Sequence, residues 1–306
     1  MKPISGIQYT LAAGDYVAVI ASVGATLRSL TFQGRDLVMP FEADDMRPAM
    51  RGALLAPWPN RTADGAYTFQ GRSDQLAVNE VETNDASHGL VSWLDFDLVA
   101  ASPERVELAA TLQAQPGYPW RLEVSVVFHL DERGLQQEVS LRNTSAQAAP
   151  VGIAGHPYLL AGAPAAGAIE AWEFELPASR VLLTDERSLP TQEIAVEWHV
   201  DVDFRAPRQV GSSVLNHAFT DLMRGSDGLT RVRLVGQDGR GVEMTWDERC
   251  PWVQVYSADA PGPDGPRHSL AVEPMTCPPN ALVSGRDVIT VEPGELASAG
   301  WRIAGF

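Results

Sequence analysis

Leu122-Glu123-Val124-Ser125-Val126-Val127-Phe128-His129-Leu130, a turn over Asp131-Glu132-Arg133-Gly134, and Leu135-Gln136-Gln137-Glu138-Val139-Ser140-Leu141-Arg142-Asn143 decide the fold class. Side chains alternate between apolar and polar on both sides of the turn, the period of a strand with one buried and one wet face. The two runs read as an antiparallel hairpin. The same alternation recurs at Val106 to Leu112, Val232 to Val235, Gly241 to Trp246 and Trp252 to Tyr256, with Asp238-Gly239 as a turn signal before Gly241. Near the start, Tyr16 to Ile20 and Ala25 to Leu30 read as two strands around a break at Gly24. No window sustains helical spacing beyond two turns, and 26 Gly and 22 Pro punctuate the chain as a many-stranded fold requires.

The expected architecture is therefore all-β: one large antiparallel β-sandwich spanning residues 1–306 as a single domain. Alternation resumes after Ala260-Pro261-Gly262-Pro263-Asp264-Gly265-Pro266, so that stretch reads as a surface loop and not as a domain linker. No repeat of 20 to 50 residues is visible.

Composition narrows the function. Apolar residues at 45% and charged residues at 20% belong to a packed globular chain, and 23 basic against 39 acidic residues give a net charge of −16. Such a surface repels phosphate backbones and anionic lipid, which argues against nucleic-acid and membrane partners. The apolar stretch Leu11 to Leu27 contains Asp15 and is too short for a membrane span. Cys250 and Cys277 form no disulfide framework and no zinc spacing. The expected compartment is the cytoplasm, and the expected partner is a small molecule, bound by a monomer or homodimer.

Four segments interrupt the alternation, and such interruptions are where chemistry sits. Ala56-Pro57-Trp58-Pro59-Asn60-Arg61 places two prolines ahead of Arg61, which fixes the direction of a planar, five-donor guanidinium. Ser87-His88-Gly89 leaves an imidazole approachable beside Trp93. In Gly155-His156-Pro157-Tyr158, the proline pushes His156 toward extended backbone. In Ala271-Val272-Glu273-Pro274-Met275-Thr276-Cys277, Glu273 ends an apolar strand between Val272 and Pro274, where poor solvation raises a carboxyl toward the general-base range. Each segment also has a plain structural reading: a capped carboxylate for Arg61, a face or loop role for the histidines, an Arg pair for Glu273. His129 reads as a strand-face residue, and His217 lies in the polar run Leu215-Asn216-His217-Ala218-Phe219-Thr220-Asp221. A metal site built from His88, His156 and Glu273 and a Cys277 nucleophile are competing arrangements; Pro278-Pro279 deprives the latter of a helix N-terminus.

Taken in order, the four segments resemble the motifs of the aldose 1-epimerase (mutarotase) family, and the resemblance runs from about residue 5 to the end of the chain. Glu-Pro-Met-Thr-Cys-Pro-Pro at Glu273 to Pro279 is similar to the wording of a bacterial branch. The resemblance implies a galactose mutarotase-like supersandwich and a metal-free, cofactor-free cleft for a pyranose. It implies Glu273 as general base, His156 as general acid and His88 as a hydrogen-bonding group near the ring oxygen. Asn60, Arg61 and Tyr158 would bind the sugar. The family's usual Asp has no match in Leu215-Asn216-His217-Ala218-Phe219; either Asn216 replaces it or Asp221 supplies the carboxylate. The expected enzyme is an isomerase interconverting α and β anomers of an aldohexose. The alternatives are an epimerase of a phosphorylated or sulfonated hexose, or a non-catalytic sugar-binding protein. No dinucleotide or phosphate-loop motif is present.

Overall fold

The computed structural model describes all 306 residues. The Leu122–Asp131 and Gly134–Asn143 strands form the hairpin, closing on the Asp131–Gly134 pair and keeping residue-for-residue register out to Leu122 and Asn143. Around it grows a nine-stranded antiparallel sheet, from the Asp97–Ser102 edge strand through Arg105–Leu112, the hairpin, Leu296–Gly305, Gly241–Trp246 and Thr230–Val235. Chain-terminal and mid-chain strands are neighbours here, a long-range pairing that no local pattern specifies.

A second, eight-stranded sheet carries the strands that matter for function: Asn216–Leu222, Trp252–Tyr256, Leu270–Met275, Ala154–His156 and Ala53–Leu55 lie side by side in that order. The two large sheets share one core. Val106, Leu108, Val124, Val126, Val139 and Trp301 of the first pack in the same cluster as Phe219, Val253, Val255 and Val272 of the second. At Gly155 the approach is so close that a Cβ would lie 2.3 Å from the Trp301 ring, so only glycine fits. A four-stranded sheet from the N-terminal region includes Tyr16–Ala21 and Thr26–Phe32, with the Gly24 turn between them. It docks on the nine-stranded sheet, where the Tyr16 hydroxyl accepts a hydrogen bond from Gly305 N–H at 3.0 Å.

Helix is confined to short pieces, such as Ala281–Ser284, and no helix is long and apolar enough to cross a membrane. Cys250 and Cys277 are buried free thiols. The chain between Tyr256 and Leu270, containing the proline-glycine run, is a loop.

Candidate active site

Period-2 geometry builds the site. Along Trp252–Tyr256, Val253 and Val255 point into the core while Gln254 sits on the opposite face. In Leu270–Met275, Leu270 and Val272 face the core and Glu273 faces away, directly across from Gln254. In Ala154–His156, Gly155 meets Trp301 and His156 takes the other face. Asn216 joins the row from the next strand, and Gln254 Nε2 donates to Asn216 Oδ1 at 2.9 Å. One sheet face thus presents Asn216, Gln254, Glu273 and His156 in sequence.

The Glu273 strand does not end at the glutamate, as the sequence suggested; it continues through Pro274 to Met275. The reason is the neighbour on that side. The amides of Val272 and Thr276 donate to Pro157 O and Ile153 O. Pro274 lies between them on the same edge without an N–H, at the place where the neighbouring chain breaks between Ala154–His156 and Tyr158–Leu159. Two prolines missing two donors sit at one seam, so the ladder loses little. The result is a rigid strand interior for Glu273.

The opposite wall comes from Asn60 to Ala63 and Asp85 to His88. Arg61–Ala63 pairs with Asp85–Ser87, and His88 follows in a left-handed conformation at φ 65°. His88 N–H donates to Asn60 O at 2.9 Å, which ties the two motifs together. Arg61 does bind a carboxylate: Nε and Nη2 donate to Glu80 at 2.7 and 3.3 Å, and Ser87 Oγ donates to the same group at 3.0 Å. Arg61 nevertheless also lines the cleft.

The walls enclose a cleft of about 580 Å³ that brings together Asn60, Arg61, His88, His156, Tyr158, Asn216 and Glu273. Asp221 is not among them; it is exposed, farther along the Asn216–Leu222 strand. Asn216 therefore occupies the polar position, with its amide set by Gln254 and by Ser188 Oγ at 3.4 Å. The Tyr158 hydroxyl is engaged with Ala49 O at 3.1 Å, and its ring stacks on His156 with centroids 5.1 Å apart.

At the centre, His156 Nε2 lies 3.3 Å from Glu273 Oε1. Both side chains are almost wholly buried. Burial pushes the Glu273 carboxyl up to about 8, with the Arg61 charge pulling weakly the other way. Burial likewise drives His156 well below the ordinary imidazole range, assisted by His88 and Arg47. His88 is lowered to about 3, by burial and then by the Arg61 and Arg47 charges. The His88 and His156 rings meet edge-on at 5.5 Å. His88, His156 and Glu273 converge, yet no set of three or more His, Cys, Asp or Glu in the chain is arranged to hold a metal ion. Cys277 is a buried thiol whose pKa burial raises to about 12, the opposite of nucleophile activation.

Four buried polar atoms of the cleft have no partner: His88 Nδ1, His156 Nδ1, Gln254 Oε1 and Glu273 Oε2. Buried polar atoms are ordinarily paired, so four unmatched ones among the cleft residues leave the hydrogen bonding of this wall incomplete. The sequence reading missed Glu80 and Gln254. Glu80 sits in an undistinguished polar run, whereas Gln254 had a signal: an uncharged polar residue in an otherwise buried strand.

The family model for aldose 1-epimerase matches residues 8–303. The chain is 38% identical over 293 residues to the uncharacterized protein YihR of Escherichia coli K12, covering 95% of this chain and 91% of that one. It is 27% identical over 305 residues to galactose mutarotase of Bos taurus, covering 90% and 87%. Among solved structures, a GalM/aldose epimerase homologue from C. elegans superimposes with a TM-score of 0.83 at 18% identity over 98% of both chains. Galactose 1-epimerase from Lactobacillus acidophilus does so with 0.80 at 18% identity, over 97% of this chain and 94% of that one. At such identities the structural likeness concerns the sandwich fold.

Proposed function

The chain belongs to the aldose 1-epimerase family, and from that premise we propose that it is an isomerase interconverting the α and β anomers of an aldohexose in this cleft. The observation that carries the reading is the buried His156–Glu273 pair at 3.3 Å, set in the cleft lining with no third charged side chain bonded to it.

Anomer exchange opens the pyranose to the aldehyde and closes it on the other face. Opening moves the C1-hydroxyl proton to a base and delivers a proton to the ring oxygen; the C1–O5 bond breaks as the C1=O double bond forms. A pair sharing one proton suffices for both transfers. Burial favours the neutral arrangement, with the proton on Glu273 and His156 uncharged. A sugar hydroxyl donating to the Glu273 carboxylate stabilises its charged form and passes the shared proton to His156. Glu273 then accepts from the C1 hydroxyl while His156 donates to the ring oxygen. Rotation about C1–C2 and reversal of the transfers close the ring and restore the pair. His88, beside His156, faces the ring oxygen; Asn60, Arg61, Asn216 and Gln254 hold the hydroxyls. The buried free thiols Cys250 and Cys277 suit a reducing cytoplasm.

A second reading, a hexose bearing phosphate or sulfonate, is favoured by one observation. Arg47 and Arg51 lie within electrostatic reach of the cleft, acting on His88 and His156 and on Tyr158. Arg47 has no carboxylate partner.

The test is anomer exchange followed by NMR on separate samples of glucose, galactose, a hexose 6-phosphate and a 6-sulfonated hexose. Acceleration of any of them supports the epimerase, and the fastest identifies the class. Tight binding with no acceleration across the panel overturns catalysis in favour of a sugar-binding role.

A further inference from the structure

Arg47 is the anomaly outside the reacting pair. Its residue is only 6% exposed, yet it forms none of the chain's salt bridges, although a buried cation ordinarily requires one. Nη1 donates to Thr26 Oγ1, Nη2 donates to Ser92 O at 2.8 Å, and the guanidinium lies 4.4 Å from the centre of the Trp93 ring. Nε has no partner. The surroundings are shaped for this contact. At Gly24, with φ +71°, a Cβ would lie 2.3 Å from Ser92 O and 2.8 Å from Arg47 Nη1, so a side chain there would displace the clamp.

What Arg47 clamps is the segment that carries His88 and Trp93 into the cleft. We propose that Arg47 is a positioning residue that fixes the His88–Trp93 segment and, as a buried unpaired cation behind it, limits the His88, His156 and Glu273 group to a single proton. A second proton would charge a histidine against a cation that no acid offsets, in a medium where screening by water is weak. The catalytic value of this limit rests on the shared-proton mechanism above.

The other charged groups around the cleft differ in this respect. Arg61 is tied to Glu80, and Arg51, behind Tyr158, is tied to Asp264. His268, which lies beyond Tyr158, contacts Ser269 Oγ, and Tyr256 lies on the strand beside Glu273. Arg47 is the one cation of this group that acts without a counter-charge.

The experiment combines histidine titration by NMR with the pH profile of kcat/KM, for the wild type, Arg47→Met and Arg47→Lys. In the wild type, the cleft histidines should stay neutral to well below pH 6. In Arg47→Met their midpoints, and the acid limb of the profile, should rise by about one pH unit, a tenfold gain in proton affinity. Arg47→Lys should keep the wild-type midpoints while losing the fork and the Trp93 stack, visible as a raised KM. Unchanged midpoints in Arg47→Met overturn the proposal, as does an ordinary midpoint near 6.5 for both cleft histidines in the wild type. Should Arg47→Met fail to fold, the wild-type titration and Arg47→Lys decide: a Lys variant whose histidines titrate upward also overturns it. The titration needs no sugar, so its failure is separable from failure of the epimerase reading.

Discussion

The cleft face of the eight-stranded sheet and the outer face of the nine-stranded sheet both display polar side chains, and they differ in how those side chains are satisfied. On the outer face a groove is lined by Arg133, Arg231, Arg249 and Arg302. Each has an acidic partner: Arg133 and Arg302 share Asp131 at 2.8 and 2.7 Å, Arg231 holds Asp227, and Arg249 joins Asp247 to Glu138. No side chain lining that groove buries an unpartnered atom. The cleft face has fewer charges, but leaves His88, His156, Gln254 and Glu273 each with one buried atom unmatched. A closed network satisfies its own groups, whereas the cleft network is left incomplete by the chain's own side chains. Cavity size alone does not separate the two faces, and hydrogen-bond accounting does.

Substitutions should show the same asymmetry. Glu273→Gln is expected to lower kcat by about 10²–10⁴-fold or more while sugar binding largely survives; near-wild-type turnover would break the assignment. The same variant tests the cost of the unmatched carboxyl. Its folded pKa is raised, so the neutral form is favoured in the native state, and wild-type stability is lost as pH rises from the unfolded carboxyl range toward about 8. Glu273→Gln should therefore melt above wild type at pH 9, with the advantage shrinking toward pH 5; a pH-independent difference would refute the burial argument.

His156→Asn should lose roughly 10²-fold or more in kcat, with KM less affected. A pure KM effect would demote it from proton transfer to binding. Arg61→Ala is expected to act mainly on KM, by about tenfold, because it removes a charged donor and releases Glu80. An unchanged KM would reduce Arg61 to a structural clamp for Glu80. On the outer face, Arg249→Ala should cost only about 1 kcal/mol of stability or less and leave turnover unchanged. A loss of activity there would dissolve the contrast between the faces.

Legibility followed the range of the interactions. The Leu122 to Asn143 hairpin could be read directly because alternation and a turn are local, and the register closes where the turn requires. His156 and Glu273 were visible because proline beside a chemically useful residue violates the strand pattern on both strands. Gln254 was legible in principle, since alternation between core-facing Val253 and Val255 turns it to the other face, while the sheet register sets it opposite Glu273. Glu80 was not, for its role depends on Arg61 reaching it from another strand. Nor was Arg47, which contacts Thr26 and the adjacent Ser92 and Trp93, two segments distant from it in the chain. The choice between Asn216 and Asp221 also required the fold, which brings the former to the cleft and leaves the latter in solvent.

By itself, then, the sequence determined an all-β chain, its family motifs and the residue types able to exchange a proton, because strand period, turn chemistry and proline constraints are carried by neighbouring residues. Only the tertiary structure decided that His156 and Glu273 meet at 3.3 Å, that Arg61 is already matched and that Arg47 is not. Burial and pairing are properties of what surrounds a side chain, and in this sandwich those surroundings arrive from strands far apart in the chain.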